Sequence, residues 1–253
     1  MRKESVAPGI VRYSFDPLPE RHFSNSIYAV VSGAKALLID AGWEHEGALI
    51  AKDLKRCSLG LEAVIISHFH DDHMEGLKAL PKATVYGSAQ NKVTLGLWTD
   101  ENEHPYYTPT VAIEDAVSME FGKHSIRLIP FPGHSACTML TLIDGVYLHI
   151  ADEIMFSDNG EPILPGVEPG EIERHVESLK TLKSYYSLYT FLPAHGRPLS
   201  GADEIERQAD KRISYLSAIL KAGGGIPYEQ AITESGGFLH SEWHEYNCYS
   251  SAQ

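Results

Sequence analysis

The run His68-Phe69-His70-Asp71-Asp72-His73 gathers three imidazoles and two carboxylates within a few residues. Imidazole nitrogen and carboxylate oxygen are the donors that zinc and similar borderline metals take. The run follows directly on Ala63-Val64-Ile65-Ile66-Ser67, an apolar stretch that reads as a buried strand. A strand ending in such a cluster holds its donors on a rigid element, and the loop beyond lets them turn toward a common point. A metal centre is the chemistry implied. A solvated His/Asp loop is the bland alternative, and it accounts for any two of these residues more easily than for all of them.

Further donors sit at other strand ends. An apolar run at 126–130 leads into Pro132-Gly133-His134-Ser135, one at 146–151 into Asp152, and one at 189–193 into Ala194-His195-Gly196. A single histidine after a strand is ordinarily a hydrogen-bonded loop residue. Four strand-to-donor junctions in one chain point to a shared site instead.

The elements that must position these residues alternate between short apolar runs and longer amphipathic ones. Residues 27–31 and 36–39 read as a strand pair turning at Ser32-Gly33, the second strand ending at Asp40-Ala41-Gly42. Glu44 to Arg56 reads as a helix, residues 63–66 as a strand covered on both faces, 84–86 as a strand and 88–97 as a helix. An irregular aromatic and polar stretch follows at 98–109. Strands are expected at 117–121, 125–131, 138–143 and 146–150, the last two paired across Asp144-Gly145. Ile172, Val176, Leu179 and Leu182 recur at helical spacing. So do Ile205, Ala209, Ile213, Leu216 and Leu220, in a helix that stops before Gly223-Gly224-Gly225. Residues 189–192 read as a last strand, and no internal repeat is present. The reading is a single domain over 1–253, with 226–253 a short C-terminal tail.

Composition bounds the function. Lys and Arg total 21 against 34 Asp and Glu, a net charge of −13 without a basic cluster, which disfavours a nucleic-acid substrate. The three cysteines (Cys57, Cys137 and Cys248) are scattered and odd in number, so no disulfide framework is expected. The first ten residues lack the apolar core of an export signal, and no apolar run approaches the roughly 20 residues of a membrane span. The expectation is a soluble, reduced, cytoplasmic protein acting on a small molecule, with no membrane or nucleic-acid partner and with homo-oligomerisation left open.

Taken together, His68-Phe69-His70-Asp71-Asp72-His73 matches the HxHxDH signature of the metallo-β-lactamase-fold hydrolases. Pro132-Gly133-His134-Ser135 resembles their second histidine motif, Ala151-Asp152 their bridging-aspartate motif, and Ala194-His195-Gly196 their terminal histidine motif. Leu37-Leu38-Ile39-Asp40-Ala41-Gly42 is similar to their N-terminal strand and aspartate turn. The resemblance runs from about Asn25 to Pro198, with the motifs in the expected order, and falls in the glyoxalase II and lactonase-like branch.

The resemblance implies an α/β fold: a four-layer αβ/βα sandwich with two mixed β-sheets and a metal site at one edge. By matching positions, His68, His70 and His134 would bind one of two divalent ions. Asp72, His73 and His195 would bind the second, with Asp152 and a hydroxide bridging. Zinc is the first choice, with iron or manganese as alternatives. Two divalent cations need anionic ligands to limit their repulsion, and two aspartates plus hydroxide supply them. Asp40 either accepts a hydrogen bond from a ligand imidazole, fixing its tautomer, or simply ends its strand. Asp71 reads as solvent-facing, and Cys137 as a small packed residue. His22, His45, His104, His124, His149, His175, His240 and His244 match no metal motif and read as surface or structural.

The implied reaction is hydrolysis by the bridging hydroxide of an ester, lactone or thioester, with Asp72 also orienting the nucleophile. The sequence departs from related subclasses in three ways. Acyl-homoserine lactonases carry a tyrosine three residues beyond the bridging aspartate, where this chain has Met155. The basic glutathione-binding cluster of glyoxalase II-like thioesterases is not evident in the C-terminal part. Asp152 stands where the true β-lactamases with a cysteine ligand have that cysteine. The alternatives are a small-molecule phosphodiesterase of the same fold, a persulfide dioxygenase-like oxidoreductase with a single iron, and a non-enzymatic binding module. Pocket walls are expected from residues 19–23, Trp43, the stretch 98–107 and the segment 156–165.

Overall fold

The computed structural model describes residues 1–18 and 21–250. Among the described residues twelve strands form two sheets. The first holds β1 (Arg2–Ala7), β2 (Ile10–Ser14), β3 (Ser26–Ser32), β4 (Lys35–Ile39), β5 (Gly60–Ile65), β6 (Thr84–Ser88) and β7 (Val111–Ile113), side by side in chain order. Pairing is antiparallel from β1 to β4 and parallel from β4 to β7. The second holds β8 (Val117–Phe121), β9 (His124–Pro130), β10 (Met139–Ile143), β11 (Tyr147–His149) and β12 (Thr190–Leu192), antiparallel except for the β11–β12 pair. Both sheets are mixed, as expected.

The helices are α1 (Glu44–Arg56), α2 (Asp71–Met74), α3 (Asn91–Trp98), α4 (His104–Tyr107), α5 (Ile172–Thr181), α6 (Ala202–Lys221), α7 (Tyr228–Ala231) and α8 (His244–Ser250). Side chains alternate across a strand, and the continuous apolar runs serve two cores at once. Leu37 and Ile39 of β4 join Ile65, Ile126, Leu128 and Met139 in the core between the sheets. Ala36 and Leu38 of the same strand face the other way, toward Ile50 and Leu54 of α1 and Leu95 of α3. On the far side Leu140, Leu148 and Phe191 meet Val176 and Leu179 of α5 and Ile205 and Leu216 of α6. Helix, sheet, sheet, helix is the four-layer order.

Several boundaries differ from the sequence reading. The β1–β2 hairpin is an added edge whose first strand is mostly exposed and polar, so no apolar alternation marks it. Strand β6 runs on to Ser88, and α3 starts only at Asn91. The stretch at 98–109 contains the short helix α4 with a proline in its first turn, where that residue is tolerated. The segment after the glycine triplet is packed, not trailing: Ile226, Tyr228, Ile232, Phe238 and Trp243 lie on the α5–α6 core. Residues 251–253 of that segment, like Pro19 and Glu20, lie outside the described residues. Among the described residues no helix is long and apolar enough to cross a membrane.

Candidate metal centre

The donor side chains all leave the carboxyl ends of strands, at one edge of the sandwich. His68 and His70 lie on the loop after β5, and Asp72 and His73 in α2, which that loop enters. His134 follows β9, Asp152 follows β11 and His195 follows β12. Helix α2 is pinned to the end of β4, because Ala41 N donates to the His73 carbonyl at 2.8 Å and Gly76 N to the Gly42 carbonyl at 2.7 Å. A Cβ on Gly76 would collide with the Ala41 carbonyl, so this close approach requires glycine.

Two donor groups result. His68 Nε2 is 3.0 Å from His70 Nδ1, which is 3.2 Å from His134 Nε2. Zinc–nitrogen bonds of about 2.0–2.1 Å in tetrahedral geometry set ligand atoms about 3.3 Å apart, close to this spacing. Beside this group, Asp72 has Oδ1 3.7 Å from His73 Nε2 and Oδ2 3.7 Å from His195 Nε2. Asp152 sits between them, its Oδ2 lying 3.3 Å from His195, 3.5 Å from His73, 3.8 Å from His134 and 3.9 Å from His68 at their Nε2 atoms.

The electrostatics suit bound cations. Burial, reinforced by the neighbouring His73 and His70, pushes His68 well below the ordinary histidine range, and burial brings His134 down to about 4. Both are neutral near pH 7 and offer lone pairs. Burial also opposes charge on His73 and His195, but Asp152 and the other nearby carboxylates outweigh it and raise both. Asp152 is held well below the carboxylate range by His195 and His73 despite its burial. Negative charge that retains protons on these imidazoles would also retain metal ions. His73 Nε2 and Asp152 Oδ1 are buried without a hydrogen-bond partner, and bound ions would satisfy such atoms. The donor set therefore fits divalent metal ions.

Most of the rings are held from behind. His73 Nδ1 faces Asp40 Oδ2 at 2.9 Å, His195 Nδ1 faces the Ser24 carbonyl at 3.2 Å, and His68 Nδ1 faces Ser67 Oγ at 3.2 Å. Asp40 also accepts from Ser67 N at 2.7 Å and Ser67 Oγ at 2.9 Å. Asp40 thus ends its strand and also faces the His73 ring, so the two readings offered for it are not exclusive. It does so with φ +65, a left-handed conformation that aspartate tolerates better than most residues.

Three features escaped the sequence reading. Glu168, 2 % exposed, faces His70 Nε2 at 3.1 Å and accepts from Trp98 Nε1 at 3.3 Å and Ala136 N at 3.0 Å. Glu153 accepts from His134 N and Ser178 Oγ and lies 3.1 Å from His175 Nδ1, which fixes the loop carrying Asp152. Arg21 reaches Asp72 Oδ2 at 3.1 Å. No local pattern marks these residues, because each partner lies far away in sequence.

A cavity of about 350 Å³ opens onto the centre, lined by Arg21, Phe23, Trp43, Trp98, Trp243 and Tyr246 among others. Trp43 and parts of 19–23 and 98–107 form walls as expected. The segment 156–165 does not: Phe156, Ile163 and Leu164 are buried in core clusters, and Met155 and residues 166–168 take its place. Asp71 is half-buried at the cavity and belongs to neither donor group. Of the other histidines, His124, His149, His175, His240 and His244 are buried. Cys137 is fully buried, its thiol pushed up by burial to about 11, and packs as expected.

Comparison with known proteins gives a consistent set. A family model described as the metallo-beta-lactamase superfamily matches residues 21–183. The hydroxyacylglutathione hydrolase of Albidiferax ferrireducens is 25 % identical over 172 residues, covering 66 % of this chain and 60 % of that enzyme. The enzyme of the same description from Tolumonas auensis is 34 % identical over 123 residues, covering 47 % of this chain and 43 % of its own. The chain thus spans less than two thirds of either relative. Among solved structures, a beta-lactamase domain protein from Burkholderia ambifaria superposes with a TM-score of 0.69 at 16 % identity, covering 98 % of this chain and 86 % of that one. A metallo-beta-lactamase from Pontibacter korlensis gives 0.67 at 15 %, covering 85 % and 98 %. These likenesses establish the shared fold.

Proposed function

Because the chain belongs to the metallo-β-lactamase superfamily, we propose that it is a metal-dependent hydrolase of a small molecule carrying an ester, lactone or thioester bond. The convergence of two donor groups on one carboxylate oxygen, Oδ2 of Asp152, carries the reading. His68, His70 and His134 would hold one divalent ion and Asp72, His73 and His195 a second, with Asp152 between them. The nitrogen-rich set favours zinc, with iron or manganese as alternatives. When bound, such a pair supplies a water ionised near neutral pH and positive charge for the oxyanion that develops at the carbonyl.

The chain's own residues do the rest. Asp72 borders the cavity, its side chain 13 % exposed, where a carboxylate oxygen can accept a hydrogen bond from the attacking water and aim it at the carbonyl carbon. Arg21, paired with the same carboxylate, orients Asp72, which His73 and His195, aided by Arg21, hold below its ordinary range despite burial. Asp40 and Glu168 hold His73 and His70 in the tautomers that turn Nε2 and Nδ1, respectively, to the centre. Phe23, Trp43 and Trp98 limit water at the reacting bond. The thioester option is supported by the relatives described as hydroxyacylglutathione hydrolases. We place the reaction in the cytoplasm, where a chain with free cysteines and a small-molecule substrate belongs.

Metal analysis of the purified protein, followed by an ester, lactone and thioester panel, tests the proposal. Close to two ions per chain and turnover of a panel member are expected. One iron per chain with oxygen consumption on a persulfide would overturn it.

A further inference from the structure

The chain has three tryptophans, Trp43, Trp98 and Trp243, and all of them line the cavity over the candidate metal centre. They come from unrelated places: the turn before α1, the end of α3 and the segment before α8. Phe23 and Tyr246 complete an aromatic enclosure. The rings reach the donor atoms themselves. Phe23 stands edge-on to His195 with centroids 4.6 Å apart, and Trp98 stands edge-on to His70 at 5.6 Å. A group attached to the reacting carbonyl would therefore meet an aromatic surface on both flanks. Trp98 lies 5.9 Å from Tyr246, and Trp243 lies 5.9 Å from Phe23, so each flank is a pair of rings.

An aromatic enclosure can receive a cation or a neutral ring, and charge decides between them. The faces of Phe23 and Trp43 are already taken by the Arg21 guanidinium, 5.3 Å from each centroid. A second cation would be repelled there. Among the described residues Arg21 is also the one Lys or Arg side chain in the cavity lining, which leaves little to grip a polyanionic carrier inside it. The volume of about 350 Å³ is at the small end for ligand pockets, so a large leaving group must project outward while the acyl part is enclosed.

We propose that the enclosure selects substrates whose acyl group carries an aromatic ring, of the phenylacetyl or benzoyl kind, joined to a carrier that stays outside. The proposal rests on the hydrolase reading and names its substrate class.

The test pairs two measurements on the metal-loaded protein. The first compares phenylacetyl and hexanoyl thioesters of N-acetylcysteamine, which share a leaving group and differ in the ring. The phenylacetyl compound should be favoured about tenfold in kcat/KM, the scale of one or two aromatic contacts. Trp243→Leu should bring that ratio down toward unity. The second measurement is intrinsic fluorescence, which arises largely at the cavity wall because every tryptophan lies there. Phenylacetate should quench it saturably, and hexanoate should not. Saturable quenching by phenylacetate without turnover of either thioester would uphold the aromatic pocket and refute the hydrolase reading. Turnover of both thioesters at equal kcat/KM with no quenching would overturn the aromatic preference and leave the hydrolase standing. Quenching by tetramethylammonium instead of phenylacetate would also overturn it.

Discussion

Glu168 and His70 meet at 3.1 Å, carboxylate oxygen to Nε2, and this contact leaves His70 Nδ1 facing His68 and His134. Burial works against charge on Glu168, yet the hydrogen bonds from His70 and from Ala136 N keep its carboxyl below the ordinary range. An ionised carboxylate accepts and cannot donate, so the His70 proton stays on Nε2.

Glu168→Ala should therefore weaken metal retention by about 10–100-fold, with Glu168→Gln falling less because its carbonyl still accepts. Dialysis against a competing chelator followed by metal analysis reads this directly. Affinity equal to that of the wild type would show that the carboxylate does not set the ring.

Asp40 bears on both stability and the neighbouring ring. Asp40→Ala strips Ser67 N of its buried acceptor and places a poorly suited residue at φ +65. A loss of about 1–3 kcal/mol is expected. Asp40→Asn tolerates the left-handed backbone and retains one acceptor, so thermal denaturation should place it between wild type and Asp40→Ala.

The N-terminal hairpin supplies a pH prediction. Burial alone would raise Asp53, but Lys3 at 2.7 Å, Arg56 and Tyr13 at 2.9 Å outweigh it, and its carboxyl falls from 3.8 to about 2. A depressed carboxyl contributes stability above its unfolded pKa and loses it as pH falls through the folded one. Wild type should thus lose stability relative to Asp53→Asn between about pH 4 and pH 2, with the gap constant above that window. Urea melts of both proteins across this range measure it, and parallel curves would exclude the effect.

Metal removal should lower the melting temperature. Each ion present at a hundredfold its Kd contributes about 2.7 kcal/mol, or roughly 5–10 °C per ion in a chain of this size. Chelation should produce that drop, and returning zinc should reverse it. His195→Ala should show a smaller drop, since it spoils one donor group and leaves His68, His70 and His134 together.

The clustering of the candidate donors at one edge was largely legible in the sequence because its signal is local. His68, His134, Asp152 and His195 each come within a few residues of a short apolar run, and strand plus loop fit in one window. The positioning residues were not legible. Glu168 lies 98 positions from His70, and nothing in Pro165-Gly166-Val167-Glu168-Pro169 announces that partnership. The β1–β2 hairpin was missed for a different reason: an exposed edge strand such as β1 needs no apolar alternation. Residues 226–250 read as a tail because their apolar residues are spaced irregularly, although many of them end up against α6.

That last segment separates two jobs along the chain. Every donor atom is in place by His195, whereas Trp243 and Tyr246 enter the cavity only afterwards. The cavity wall can consequently drift while the donor set stays fixed. Exchanging the stretch around α8 for another of similar bulk should change which compounds the cavity admits and leave the donor edge intact. Chains with an identical donor signature can then serve different substrates, and the signature alone is a poor guide to which.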